Sequence, residues 1–351
     1  MQDTKHHFLV LDGLRGIAAL AIVIFHFMEI VEVDYTKNFI GHGFLAVDFF
    51  FCLSGFVIAY AYDDRIREMG ALALLKRRII RLHPLVLLGS VLGVLAFFVN
   101  PYANNASDTY CVWQVVVLFI TSAFLIPYPV MEDRYFNLFG LNAPAWSLFW
   151  EYVANLLYAF ILYRMSKRWL AVGVAVMALS LTIIAYRSEL LMGGWSKDTF
   201  WDGGIRIGFS FLAGMLIYRA KWVARNRLGF LGLSLVLAVA LMMPFFTHNW
   251  LMELFVVIIL FPGIIILGRG TRIEGTLTSL CSWFGKISYP LYMTHYAVMW
   301  MFAGYNDSEP DPGQRALVIV IGTLLLLAFA HIVMKWFDTP VRRYLTKRFT
   351  S

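Results

Sequence analysis

Apolar runs recur along the whole chain, at residues 12–31, 43–62, 84–99, 112–127, 144–163, 170–187, 204–220, 228–246, 250–268, 281–303 and 315–337. A helix needs about 20 such residues to cross a bilayer. Backbone polar groups in hydrocarbon must also be satisfied inside their own segment, which leaves helices as the simplest solution. The runs predict an all-α fold, a polytopic transmembrane helix bundle. Composition agrees: 60% of the 351 residues are hydrophobic, 15% are charged and the mean hydropathy is +0.70. That is more apolar surface than a water-soluble fold can hide. No polar stretch is long enough for a separate soluble unit, so residues 1–351 read as a single integral-membrane domain with no appended soluble domain. The opening "MQDTKHHFLV" has no cleavage signal, and the first helix is expected to stay as an anchor.

The orientation follows from the basic residues. The net charge of +7 is spread over short segments between apolar runs, as cytoplasmic loops require, and is not a nucleic-acid footprint. The run 112–127 is short and lies between "NPYANNASDTY" and "PYPVMEDRYFN". With a cytoplasmic N-terminus and a re-entrant 112–127, 23 of the 29 basic residues fall inside and 6 outside; if that run crosses, the division is 13 and 16. Cytoplasmic loops carry the excess of Lys and Arg. The expectation is therefore about ten spans plus one re-entrant segment, both termini cytoplasmic, in the inner (cytoplasmic) membrane. Cys52, Cys111 and Cys281 are far apart and odd in number, which argues against a disulfide framework or a paired-cysteine metal site. No HExxH or P-loop is present, so neither metal nor nucleotide hydrolysis is expected.

Polar residues inside the apolar runs are the candidate chemistry, because a charge there is costly unless it lines a cavity or finds a partner. In "LDGLRGIAALAIVIFHF", Arg15 and His26 are eleven residues apart. They share a helix face and are separated by about 16 Å of rise. Asp48, within "GHGFLAVDFFFCLSGFVIAY", needs a partner, which Arg15 or His26 could supply. In "LLKRRIIRLHPL", Arg78 and Arg81, and likewise Arg77 and Arg81, share a face. Pro84 suits the start of a new helix, and such an arginine cluster beside a helix start suits phosphates. Ser147 and Glu151 lie one turn apart in "NAPAWSLFWEYVANLLY", with Trp146 and Trp150 suited to the outer interface. Tyr292 and His295 share a face of "ISYPLYMTHYAV". Snorkelling arginines, a structural ion pair and core histidines are the bland readings of the same residues.

Taken together these segments resemble the membrane acyltransferase 3 family. "LDGLRG" with His26 looks like its Arg-x10-His motif, and "VDFFFCLSGFVI" like its second signature. "KRRIIRLHP" looks like its R-x-x-R loop, "PAWSLFWEYVANLLY" like its S-L-x-x-E segment, and "ISYPLYMTHY" like its late helix. The resemblance runs from residue 11 to about residue 340. It implies a membrane acyltransferase domain that takes an acyl, foremost an acetyl, group from cytoplasmic acyl-CoA to a hydroxyl of an envelope glycan or lipid-linked glycan, alongside envelope-biosynthesis partners and without a metal. It further implies His26, Glu151 and Asp48 as catalytic residues and Arg15, Arg77, Arg78 and Arg81 as CoA ligands. Ser147, Trp146, Tyr292 and His295 would meet the acceptor. His26 would act as general base or become acylated and relay the group. A small natural product or an amine is the alternative acceptor. A polytopic transporter is the rival class, disfavoured by the arginine cluster and by the lack of an inverted repeat.

Overall fold

The computed structural model describes residues 8–102 and 110–349. Lys5, counted above, and residues 103–109 of the segment before the short run lie outside the described residues. Regular structure is helical, apart from one isolated β-bridge between Asn137 and Ser196. The chain runs α1 (Leu9–Val31), α2 (Ala46–Tyr62), α3 (Ala71–Val99), α4 (Val112–Ala123), α5 (Ala145–Phe160), α6 (Lys167–Ser188) and α7 (Phe200–Arg219). It continues through α8 (Gly229–Leu241), α9 (Asn249–Phe255), α10 (Phe261–Gly270), α11 (Thr276–Thr294), α12 (Tyr296–Asn306), α13 (Pro312–Val333) and α14 (Thr339–Phe349). Among the described residues, seven helical stretches are long and apolar enough to cross a membrane. The protein is thus an all-helical membrane protein.

Its exterior shows the medium it is built for. Val172, Val176, Leu179 and Ile183 recur on one stripe of α6, and each is at least half exposed. An exposed apolar stripe of this kind is stable against lipid and costly in water. Inside, backbones approach where side chains vanish. A Cβ on Gly55 of α2 would strike the Phe211 carbonyl of α7, and one on Gly214 of α7 would strike the Cys52 carbonyl of α2. Small residues at both positions let the two helices pack backbone to backbone. A Cβ on Gly16 of α1 would meet Phe284 of α11, and one on Gly285 of α11 would meet Asp12 of α1. This second close pair brings Arg15 against α11.

Three elements differ from the pattern of apolar runs. Pro84 does not begin a helix; it lies inside the 29-residue α3. One backbone bond is forfeited there, a loss that packed neighbours absorb in membrane helices. The Arg77–Arg81 cluster therefore stands on a helix wall, not in a loop. The run 281–303 is broken at His295, where α11 ends and α12 begins. Pro290 removes a backbone donor one turn before this break. Two π-helical turns, Val256–Leu260 and Met334–Asp338, interrupt the α-helical bonding. The second leads directly into α14.

Helix α4 has 12 residues, about 18 Å of rise. Its Ser122 exchanges a 2.9 Å hydrogen bond with Ser90, in the last third of α3. The following chain then turns, and Leu138 N donates to Trp195 O beside the start of α7.

Candidate active site

A cavity of about 590 Å³ opens between α1, α2, α3, α5, α11 and the chain around the second π-turn. Its volume falls within the usual range for ligand sites. Arg15, Arg78, Arg81, Lys286 and Arg342 line it, together with the carboxylates of Asp12, Glu151 and Asp338. Each carboxylate already has a cation: Asp12 lies 3.3 Å from Arg15, Glu151 2.6 Å from Arg78 and Asp338 2.8 Å from Arg342. Arg81 and Lys286 have no carboxylate of their own among the described residues. Both side chains are exposed, and the Asp338 charge also reaches Arg81; the surplus of cations still attracts an anion.

The close α1–α11 contact explains how Arg15 is held. Its Nε donates to Ser288 Oγ at 2.9 Å and its Nη2 to the Gly285 carbonyl at 2.5 Å. A guanidinium has five N–H donors in a fixed fork, so donors remain for a ligand. The helical spacing in α3 sorts its arginines: Arg78 and Arg81 line the cavity and Arg77 does not, although Arg77 and Arg81 are both exposed.

His26 is not on that cavity wall. It sits further along α1, stacked on His295 with ring centroids 5.2 Å apart and edge-on to Tyr296 at 4.9 Å. Its Nδ1 lies 2.5 Å from Glu29 Oε1. A carboxylate there fixes the tautomer with hydrogen on Nδ1 and leaves Nε2 as the basic nitrogen. His295 is fully buried; its Nδ1 donates to the Leu291 carbonyl at 3.1 Å, and its Nε2 has no partner among the described residues. In the loop after α1, burial and the Glu29 carboxylate push the Tyr35 hydroxyl well above its ordinary range, so it remains a donor.

Between these two regions stand Tyr292 and Phe50. Both line the cavity, and their rings meet edge-on at 5.7 Å. The Tyr292 hydroxyl and Ser147 Oγ are hydrogen-bonded at 2.7 Å, and the Tyr292 ring lies 6.0 Å from that of His295. Ser147 and Tyr292 therefore belong to the inner end of the cavity, and His295 belongs to the His26 side.

Other sequence-based expectations are corrected by the packing. Asp48 pairs with neither Arg15 nor His26. Arg206 of α7 holds it with bonds of 2.6 and 3.2 Å, and both residues are fully buried. Arg206 also donates to the Gly193 and Phe44 carbonyls, and its guanidinium lies 5.3 Å from the Trp146 ring. Asp48 and Trp146 thus lie around the buried Arg206 and do not line the cavity. Arg206, counted among the outer basic residues, is in fact inside the bundle. Glu151 lies in the cavity, bound to Arg78 and, at 2.5 Å, to Ser54 Oγ. The cause is α5, which starts within the bundle, where Asn142 donates to the Met293 carbonyl at 3.2 Å. Glu29, Lys286, Asp338 and Arg342 were not singled out from sequence. The spacing of three from His26 to Glu29 was the one legible signal.

A family model described as "Acyltransferase domain" (acyltransferase 3) matches residues 8–335. The chain is 36% identical to "Protein 2 in picA locus" of Rhizobium radiobacter over 168 residues, which is 45% of this chain and 84% of that protein. It is 24% identical to "O-acetyltransferase OatA" of Staphylococcus aureus over 97% of this chain and 58% of that protein. The chain thus spans little more than half the length of that relative. No solved structure matches.

Proposed function

This chain belongs to the acyltransferase 3 family, and from that premise we propose that it moves an acyl, foremost an acetyl, group from cytoplasmic acyl-CoA to a hydroxyl of an envelope or extracellular glycan. The observation that carries the reading is the order of groups along α1 and α11. Arg15 and Ser288 lie at a cation-rich cavity, Tyr292 stands at its inner end, and His295 stacks on His26 one turn beyond. Cations suit the phosphates of the donor, and the cavity gives its acyl arm a route toward the histidine pair. Transfer of an acetyl group to oxygen finds support in the family and in the name of the staphylococcal relative.

In the proposed step, the acceptor hydroxyl gives its proton to Nε2 of His26 as its oxygen attacks the thioester carbonyl. The new carbon–oxygen ester bond forms, the carbon–sulfur bond breaks, and the departing CoA thiolate takes up the proton from His26. Glu29 holds the ring and stabilises the imidazolium formed in between.

The same reading carries a topology of about ten spans with both termini in the cytoplasm of the inner membrane. The segment 112–127 enters and returns without crossing. Support comes from the Ser122–Ser90 bond in the last third of α3 and from the return of the chain to Trp195.

The test uses the purified chain in lipid nanodiscs with acetyl-CoA and an envelope glycan fraction. The expected result is equal amounts of free CoA and glycan acetyl ester, and neither with His26→Gln. Acetyl found instead on an amine or a small metabolite would replace the acceptor. No CoA release with any fraction would remove the enzymatic reading.

A further inference from the structure

The matched family model ends at residue 335, yet the cavity wall does not. Asp338, the last residue of the second π-turn, and Arg342, one turn into α14, both line the cavity and pair at 2.8 Å. π-Turns inside helices are recurrent at functional sites. Here the turn carries Asp338 to the cavity wall, where it is almost fully buried. One oxygen, Oδ1, has no hydrogen-bond partner among the described residues, nor has Nε of Arg342. Buried polar atoms left unpaired cost free energy; the free Nε of Arg342 is a donor that an anion would satisfy, whereas Oδ1 of Asp338 is an acceptor and gives no support to an anion.

The charge around the pair indicates what that is. Arg15, Arg78, Arg81 and Arg342 all line the same cavity. Four guanidiniums therefore converge on one cavity. With Lys286 they make five cations against three carboxylates. Such a cluster is self-repulsive when empty, and a phosphate-bearing anion relieves it.

We infer that Arg342, positioned by Asp338, binds a phosphate group of the acyl-CoA nucleotide, so that the chain beyond the family match completes the donor site. Arg342 is the ligand-binding residue. Asp338 is a positioning residue that holds the guanidinium fork toward the other arginines. The inference rests on the acyl-CoA reading above.

The experiment measures binding of CoA, 3′-dephospho-CoA and pantetheine to the purified full chain by calorimetry. Arg342→Ala should weaken CoA by about tenfold to a hundredfold, the loss of one charge-assisted contact, and leave the weaker pantetheine binding unchanged. Arg342→Lys, which keeps charge but loses the fork, should fall between. Asp338→Asn should narrow the ratio of CoA to pantetheine affinity, which a merely structural role would not do. If Arg342→Ala costs the same fold with dephospho-CoA, the contact is to the diphosphate. If the loss vanishes with that probe, the contact is to the 3′-phosphate. Either outcome supports the inference. A folded Arg342→Ala or Arg342→Lys protein that binds CoA like the wild type overturns it. A wild-type chain that binds no CoA overturns the donor reading instead.

Discussion

His26 and His295 lie face to face, ring centroids 5.2 Å apart and planes 24° from parallel. One imidazole is on the first helix, the other at the break between α11 and α12. His26 has a carboxylate on Nδ1, and His295 has a backbone carbonyl on its own Nδ1. The pair thus presents two basic nitrogens of different surroundings beside Tyr296 and Tyr292.

This geometry predicts separable effects within the pair. His26→Gln should reduce transfer by about 10²–10⁴-fold, the usual worth of a general base, with CoA affinity unchanged. His295→Asn should be milder, since it keeps a polar group beside His26. Single-turnover rates and CoA titration on the same samples would decide. Equal loss of rate and of CoA binding in His26→Gln would indicate a packing role.

Glu29 should behave as the orienting group. Glu29→Gln retains the shape and one hydrogen bond but not the charge that favours the imidazolium. Transfer should fall by about 10²-fold while thermal stability changes little. A variant with the wild-type rate would show that Nδ1 needs no carboxylate.

Among the α3 arginines the structure separates neighbours. Arg81→Ala should weaken CoA binding by about 1.5–3 kcal/mol, because Arg81 faces the cavity without a carboxylate of its own. Arg77→Ala, exposed and off the wall, should be close to silent. If the two substitutions have equal effects, the cluster acts as a diffuse basic patch.

Asp48 should matter for folding more than for chemistry. Asp48→Ala leaves Arg206 buried and unpaired, at a cost of about 3–5 kcal/mol. Replacing both residues with apolar ones should recover much of that, visible as a rise in the melting temperature in detergent relative to the single variant. A stable but inactive Asp48→Ala protein would restore a catalytic role.

The topology can be read from thiols. Cys111 is exposed, whereas Cys52 and Cys281 are buried. An impermeant maleimide should therefore label wild-type cells at Cys111. In a Cys111→Ser background, cysteine at Trp201 should label, and cysteine at Lys167 or Val223 should be protected. Labelling at the latter two would invert the proposed orientation.

The sequence by itself determined the medium, the helical class and the family. Apolar runs, Arg15 with His26, and the later motifs are local patterns, and local patterns survive any arrangement of the helices. It also held the neighbours on one helix: the face shared by Arg78 and Arg81, and the His26–Glu29 spacing. Partners on different helices were decided by packing alone. Asp48 and Arg206 are 158 residues apart along the chain, and no periodicity relates them. Glu151 became a cavity residue because α5 starts inside the bundle, and Arg77 left the site because helical rotation turns it away. Pro84 was read as a beginning because its ring forbids one local bond, and neighbouring helices made that bond dispensable. Asp338 and Arg342 look like one more cytoplasmic charge pair until a π-turn carries them into the cavity wall. Which charges neutralise one another, and which are left for a ligand, is a property of three-dimensional distance, because Coulomb energy depends on separation in space and on the surrounding dielectric.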